Sequence, residues 1–133
     1  MEDDFVYMFA KVLFMGTLEK QLNWQRDKFA VSICDESVVV NRWHQVLAEA
    51  NPASILATVP VKGQAFNTSG ATAAPMVFTI PAGKTMQALL LHEDTGDPMT
   101  SVLVVHICLN RKFKRISDGR PFVLNFKNGI ITP

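Results

Sequence analysis

Met76-Val77-Phe78-Thr79-Ile80 and, beyond Pro81-Ala82-Gly83, Met86-Gln87-Ala88-Leu89-Leu90-Leu91-His92 open a series of apolar runs of strand length. Asp94-Thr95-Gly96-Asp97-Pro98 separates the second run from Ser101 to Leu109, and Asp118-Gly119 precedes a fourth, Pro121 to Phe126. Asn128-Gly129 then leads to a last short run, Ile130-Ile131-Thr132. Short apolar runs punctuated by Gly, Pro, Asn and Asp predict antiparallel strands, stacked as a sandwich or curled into an open barrel. Long helical patterns are absent after residue 50, which disfavours an alternating βα fold.

Working towards the N-terminus, Ser54 to Val59 is strand-like and closed by Pro60. Phe29-Ala30-Val31-Ser32-Ile33-Cys34 alternates apolar with small or polar residues and reads as a half-buried strand. Between them, residues 38–50 carry Trp43, Val46 and Leu47 at spacings that suit a short helix ending at Asn51-Pro52. The β-branched trio Val38-Val39-Val40 argues against that helix. Lys62 to Pro75, rich in Gly, Ala, Ser and Thr, reads as a flexible loop or arm. Near the start, Phe5, Met8, Phe9, Val12 and Leu13 fall at helical spacing and predict a helix stopped near Gly16. Glu2, Asp3 and Asp4 suit the positive end of such a helix. Val6, Phe14 and Met15 lie outside its apolar stripe, so its own domain or a neighbour has to cover it. The expected architecture is one domain over residues 1–133, mainly β, with one or two short N-terminal helices and a flexible segment at 62–75.

The 133 residues are 48% hydrophobic and 19% charged, with a net charge of +1. Low charge suits a protein that buries surface against neighbours, and equally a well-packed monomer. A nucleic-acid binder carries a basic excess that neutralises phosphates, and that excess is missing. Arg111, Lys112, Lys114, Arg115 and Arg120 form the nearest thing to a basic cluster, around the Ser117-Asp118-Gly119 turn; they read as a solvated loop or a contact for an acidic surface. No apolar run reaches the roughly 20 residues that span a bilayer. The acidic opening, Met1-Glu2-Asp3-Asp4, lacks the basic region of a secretory signal, so synthesis and residence in cytoplasm are expected. Cys34 and Cys108 sit in apolar runs and read as buried thiols; a disulfide between them requires adjacent strands.

Candidate chemistry is sparse. Gly83-Lys84-Thr85 resembles the tail of a phosphate loop, but Phe78 stands where that loop needs its first glycine. His92-Glu93-Asp94 offers three metal ligands, yet neighbours on a strand face opposite sides. His44 and His106 have no partner at metal-binding spacing, and no nucleophile motif accompanies them. An enzymatic role, a metal site and a cofactor are therefore not expected. Trp24 and Trp43 read as core or interface anchors.

Two stretches resemble a family of small tailed-phage virion proteins. In the first, Leu22-Asn23-Trp24-Gln25-Arg26-Asp27-Lys28-Phe29-Ala30-Val31-Ser32-Ile33 matches a family pattern of a tryptophan step, an aspartate and a strand. In the second, Ala88 to Leu91 followed by His92-Glu93-Asp94-Thr95-Gly96, then Thr100 to Val104, resembles a strand, a "Y-K-D-T-G" turn and a further strand. Asp118-Gly119 before Phe122 to Phe126, and Asn128-Gly129-Ile130-Ile131 after it, follow the same order. The chain departs from the pattern where His92-Glu93 replaces Tyr-Lys and Val102 replaces proline, and Val38 to Ala74 matches poorly. The physical role expected of Asp94-Thr95-Gly96 is a turn that fixes strand register, with Asp94 accepting backbone amides and Gly96 taking a positive φ.

The resemblance implies an accessory virion component, a capsid decoration (cement) protein that binds the major capsid protein and copies of itself. It implies a virion location after synthesis in the bacterial cytoplasm, while the charge and the lack of a spanning run leave no nucleic-acid or membrane partner expected. Candidate contact residues are Phe5, Met8, Phe9, Val12 and Phe14 on the N-terminal segment, with Trp24 and Trp43 and the 62–75 arm. The alternatives are a tail or head–tail connector component, and a host- or carbohydrate-binding module.

Overall fold

A computed structural model describes residues 4–15, 22–67, 70–109 and 116–124. In chain order the elements are β1 (Phe5–Val6), α1 (Met8–Met15), β2 (Phe29–Cys34), β3 (Ile55–Pro60), β4 (Ala65–Asn67), β5 (Gly70–Thr72), β6 (Met76–Phe78), β7 (Ala88–Glu93), β8 (Leu103–Cys108) and β9 (Phe122–Leu124). Two 3-10 turns, Leu47–Ala50 and Pro52–Ser54, precede β3. Five strands form one sheet in the order β1-β8-β7-β2-β3, and β4–β5 and β6–β9 form two-stranded sheets. Every pairing is antiparallel. The chain is thus mainly β, with one α-helix among the described residues and no closed barrel.

Register assigns the side chains to two faces, because successive residues on a strand point to opposite sides. Phe5, His106, Leu90, Ser32 and Thr58 lie in one row across the sheet. Val6, Val105, Leu91, Val31 and Val59 form the next row, on the opposite face. The valine face is packed with Phe29, whose ring lies 5.0 Å from Trp24 and 6.1 Å from Phe14. The other face is crossed by the excursion from Asp35 to Ser54. There the Arg42 guanidinium sits 5.3 Å over the Phe5 ring, and Asp35 N donates to Ser54 O at 2.9 Å.

Both faces being covered explains why β2 is buried at all six positions rather than half-buried. Its alternation is one of size: Phe29, Val31 and Ile33 fill one layer, while Ala30, Ser32 and Cys34 let covering chain approach on the other. Cys34 and Cys108 are both buried and free. Each pairs with Ala88, so β7 stands between them. Two strand spacings, on the order of 10 Å, exceed the about 7 Å that a disulfide tolerates.

Several local expectations are corrected. The N-terminal helix starts at Met8 and not at Phe5, because Phe5 and Val6 pair with the outer edge of β8 and the Tyr7 amide continues that ladder to Val104 O. Asp4 lies before β1, where its Oδ1 accepts the Cys108 amide, closing the same edge. Residues 38–46 are not helical, since their neighbours' amides find partners elsewhere: Leu47 N donates to Ser101 O and Ala48 N to Pro98 O. The 62–75 segment holds the β4–β5 hairpin with buried Ala71, and Ala74 N donates to Lys62 O. Pro60 belongs to β3, which it can because β3 is an edge strand of this sheet. Glu2, Asp3, Gly16, Arg111, Lys112, Lys114, Arg115 and the run Asn128 to Thr132 lie outside the described residues.

Candidate functional site

The two tryptophans, alike in sequence, have opposite placements. Trp24 sits in a turn closed from both ends: Asn23 Oδ1 accepts the amides of Gln25 and Arg26, and Asp27 Oδ2 accepts the amide of Asn23. This turn drives the indole into the interior, where it is buried against Phe29. Its Nε1 donates to Ala65 O at 3.1 Å and Thr72 O at 3.0 Å, tying the β4–β5 hairpin to the body. Gln64 Nε2 returns the tie, donating to Trp24 O and Asp27 O, each at 2.7 Å. Trp24 is a core residue.

Trp43 is 69% exposed. Its loop is nonetheless firmly braced. Asn41 Oδ1 accepts the Trp43 amide at 2.9 Å, and Asn41 O accepts that of His44 at 2.9 Å. Met8 N donates to Arg42 O and Leu103 N to Gln45 O, while Val46 bridges to Val102. Glu49 Oε1 accepts the amides of Gln45 and Val46, and the Gln45 bond holds its carboxyl below the usual range. An indole projected from a backbone fixed this way is an exposed apolar group that folding does not use. Met99 (68%) and Val39 are further exposed apolar side chains, and Val77 and Val123 face each other outward across the β6–β9 pair.

The N-terminal candidates serve mainly the chain's own packing. Phe5 stacks on His106 at 4.9 Å and meets Tyr7 edge-on at 4.9 Å. Phe9 and Phe14 pack against the core, and Met8 and Val12 are half-buried. Tyr7 is fully buried with no partner for its hydroxyl among the described residues, and burial pushes its ionisation far above the usual phenol range.

The Asp94-Thr95-Gly96 turn forms as a turn, but with different roles. Gly96 takes φ +82°. The aspartate that accepts a backbone amide two residues on is Asp97, from Met99 at 2.9 Å. Thr95 Oγ1 joins Thr100 Oγ1 at 2.7 Å, and the hydroxyls of Thr95 and Ser101 both donate to Asp97 O. The Gly83-Lys84 turn is likewise occupied by protein: both amides are accepted by Ser117, at its carbonyl and its Oγ.

One constellation escaped the sequence reading. Ser32 Oγ lies 2.7 Å from His92 Nε2 and 2.7 Å from Thr58 Oγ1. His92 Nδ1 lies 2.9 Å from Glu93 O. A serine–histidine pair is half of a nucleophilic unit, but the second ring nitrogen here is committed to a backbone carbonyl rather than a carboxylate, and both side chains are buried. Ser32 and His92 are separated by 60 positions, so no motif announces them. The small residue alternating through β2 was the one available signal. Among the described residues no group of three His, Cys, Asp or Glu is arranged to hold a metal, and no helix is long and apolar enough to cross a membrane. No family model, curated protein or solved structure matches the chain.

Proposed function

We propose that this chain is a structural component of a tailed-phage virion, a capsid decoration protein that binds the outside of the major capsid shell and neighbouring copies of itself. The observation that supports this reading best is Trp43, 69% exposed on a loop whose backbone is hydrogen-bonded on both sides of it. An exposed aromatic on a rigid mount loses little conformational freedom when it docks, which is the character of an interface anchor. An indole buries about 150–250 Å². Taking its exposed share out of water contributes roughly 3 kcal/mol at about 25 cal/mol per Å². One such contact is weak alone, and repetition over a lattice multiplies it. The near-neutral charge fits a protein partner rather than a nucleic acid.

Mass spectrometry of purified particles, with tailless heads compared against isolated tails, tests the proposal. Recovery with the heads is expected. Recovery with tails alone refutes decoration in favour of a tail or connector role, and absence from particles refutes the virion reading itself.

A further inference from the structure

A line of hydrogen bonds runs from an edge of the five-stranded sheet to its buried histidine. Thr58 is exposed on β3 and sits directly opposite Ser32 on β2, with 2.7 Å between their hydroxyl oxygens. Ser32 has no solvent exposure and reaches His92 Nε2 at 2.7 Å. His92 Nδ1 ends the line at Glu93 O, 2.9 Å away. A carbonyl oxygen only accepts, so Nδ1 carries a proton in both charge states of the ring. In the neutral ring Nε2 is then an acceptor, Ser32 donates to it, and Ser32 accepts from Thr58.

The Thr58–Ser32–His92 bonds suit the charged ring with donor and acceptor exchanged in each, while Nδ1–H stays on Glu93 O. A proton from a solvent hydronium joins Thr58 Oγ1, whose own proton passes to Ser32 Oγ. The Ser32 proton passes to His92 Nε2. One proton has entered, the imidazole has gained one positive charge, and each O–H bond broken has been replaced. Afterwards Nε2–H donates to Ser32, Ser32 to Thr58, and Thr58 to water. No bond of the chain is lost and no heavy atom has to move.

We propose that Thr58 and Ser32 form a proton relay through which the buried His92 charges and discharges across the β3 edge. This inference is independent of the docking role given to Trp43. The covering segment from Asp35 to Ser54 carries Asp35, Glu36, Arg42, His44 and Glu49, with Arg42 over Phe5 in the same row of the sheet. β3 carries no ionisable side chain, β2 carries only the Cys34 thiol, and β8 carries His106 and Cys108. β7 itself adds Glu93, and Asp94 follows it; Lys28 and Lys62, both exposed, flank β2 and β3. Burial lowers the proton affinity of His92 more than the Glu93 carbonyl and Asp94 raise it, so the ring is neutral at neutral pH and charges on the acid side.

Nitrogen-15 correlation spectra of the imidazole rings in the full chain, followed through a pH titration, test the relay. The neutral wild-type ring is expected with its proton on Nδ1, and the Ser32 and Thr58 resonances are expected to shift with the His92 midpoint. Thr58→Val keeps the β-branched shape at an exposed position and cuts the line. It is expected to slow proton exchange at the ring about tenfold or more and to weaken proton binding, because a charge-assisted bond loses its onward acceptor. Ser32→Ala is expected to weaken proton binding by about tenfold. A neutral wild-type ring protonated on Nε2 overturns the proposal without recourse to any variant. So does a Thr58→Val protein, folded by its amide spectrum, whose titration and exchange match wild type.

Discussion

Replacing Trp24 by phenylalanine isolates one function of that side chain. Phenylalanine retains most of the apolar packing on Phe29 but has no donor for Ala65 O and Thr72 O. Ala65 O keeps a long bond from Thr72 Oγ1 at 3.4 Å, whereas Thr72 O loses the partner the indole provided. Losing the bonds from the buried indole N–H to these part-buried carbonyls costs about 0.5–1.5 kcal/mol, and that range is the expected loss for Trp24→Phe. Trp24→Ala adds the cavity term, about 3–5 kcal/mol for truncating a buried large aromatic. Set against a typical domain stability of about 5–15 kcal/mol, the alanine variant is marginal or unfolded while the phenylalanine variant folds. Equilibrium urea unfolding supplies the free energies, and amide exchange locates the damage. Exchange in Trp24→Phe is expected to accelerate first in β4 and β5, ahead of β2 and β7, because the lost bonds tie that hairpin to the body. A Trp24→Phe protein within about 0.5 kcal/mol of wild type, with unchanged hairpin exchange, refutes this reasoning.

Three further outcomes are expected. His92 has its proton affinity lowered by burial relative to its unfolded value of 6.5, so the unfolded chain protonates first as pH falls. Stability from this group is full above 6.5, declines as pH drops towards the folded value and is constant below it; urea midpoints across that window measure the decline, which His92→Gln reduces. Burial pushes the Cys34 thiol up to about 11, so iodoacetamide at about pH 8 is expected to leave Cys34 unmodified in the native protein and to label it after denaturation, read by mass spectrometry. At Gly96, φ is +82° and a Cβ meets open space, so Gly96→Ala costs only the left-handed backbone strain, about 1 kcal/mol. Gly63→Ala has comparable strain and a contact of 3.2 Å with Ala74 Cβ, so it is expected to cost more in the same urea assay.

The strands are legible in the sequence because their signals are local. Ala88 to Glu93 and Leu103 to Cys108 are short, apolar and bounded by turns rich in Gly, Pro and Asp, and each forms a strand as read. The errors arise where distant chain decides conformation. Phe5 fits a helical stripe, yet the unfilled edge of β8 draws it into a ladder with His106. Trp43, Val46 and Leu47 fit another stripe, yet backbone bonds to Pro98 and Ser101 hold that region as loop and 3-10 turn. The site divides in the same way. Gly96 is readable as a positive-φ turn residue, but which aspartate accepts the amide, Asp94 or Asp97, depends on how the turn closes. Trp24 and Trp43 are indistinguishable by type; the capped turn around the first and the Asn41-braced loop around the second separate them. The Ser32, Thr58 and His92 line joins three strands, and nothing in their spacing along the chain marks it.

Cosedimentation of the purified chain with capsid heads stripped of accessory proteins tests the central claim most directly, with Trp43→Ala alongside. The variant is expected to unfold at the same urea concentration as wild type, since the indole is exposed. The account predicts saturable binding of wild type to heads and at least about a tenfold weaker binding of Trp43→Ala, from the roughly 3 kcal/mol assigned to the indole. Wild-type protein left wholly in the supernatant, or a variant that binds as tightly as wild type, contradicts it.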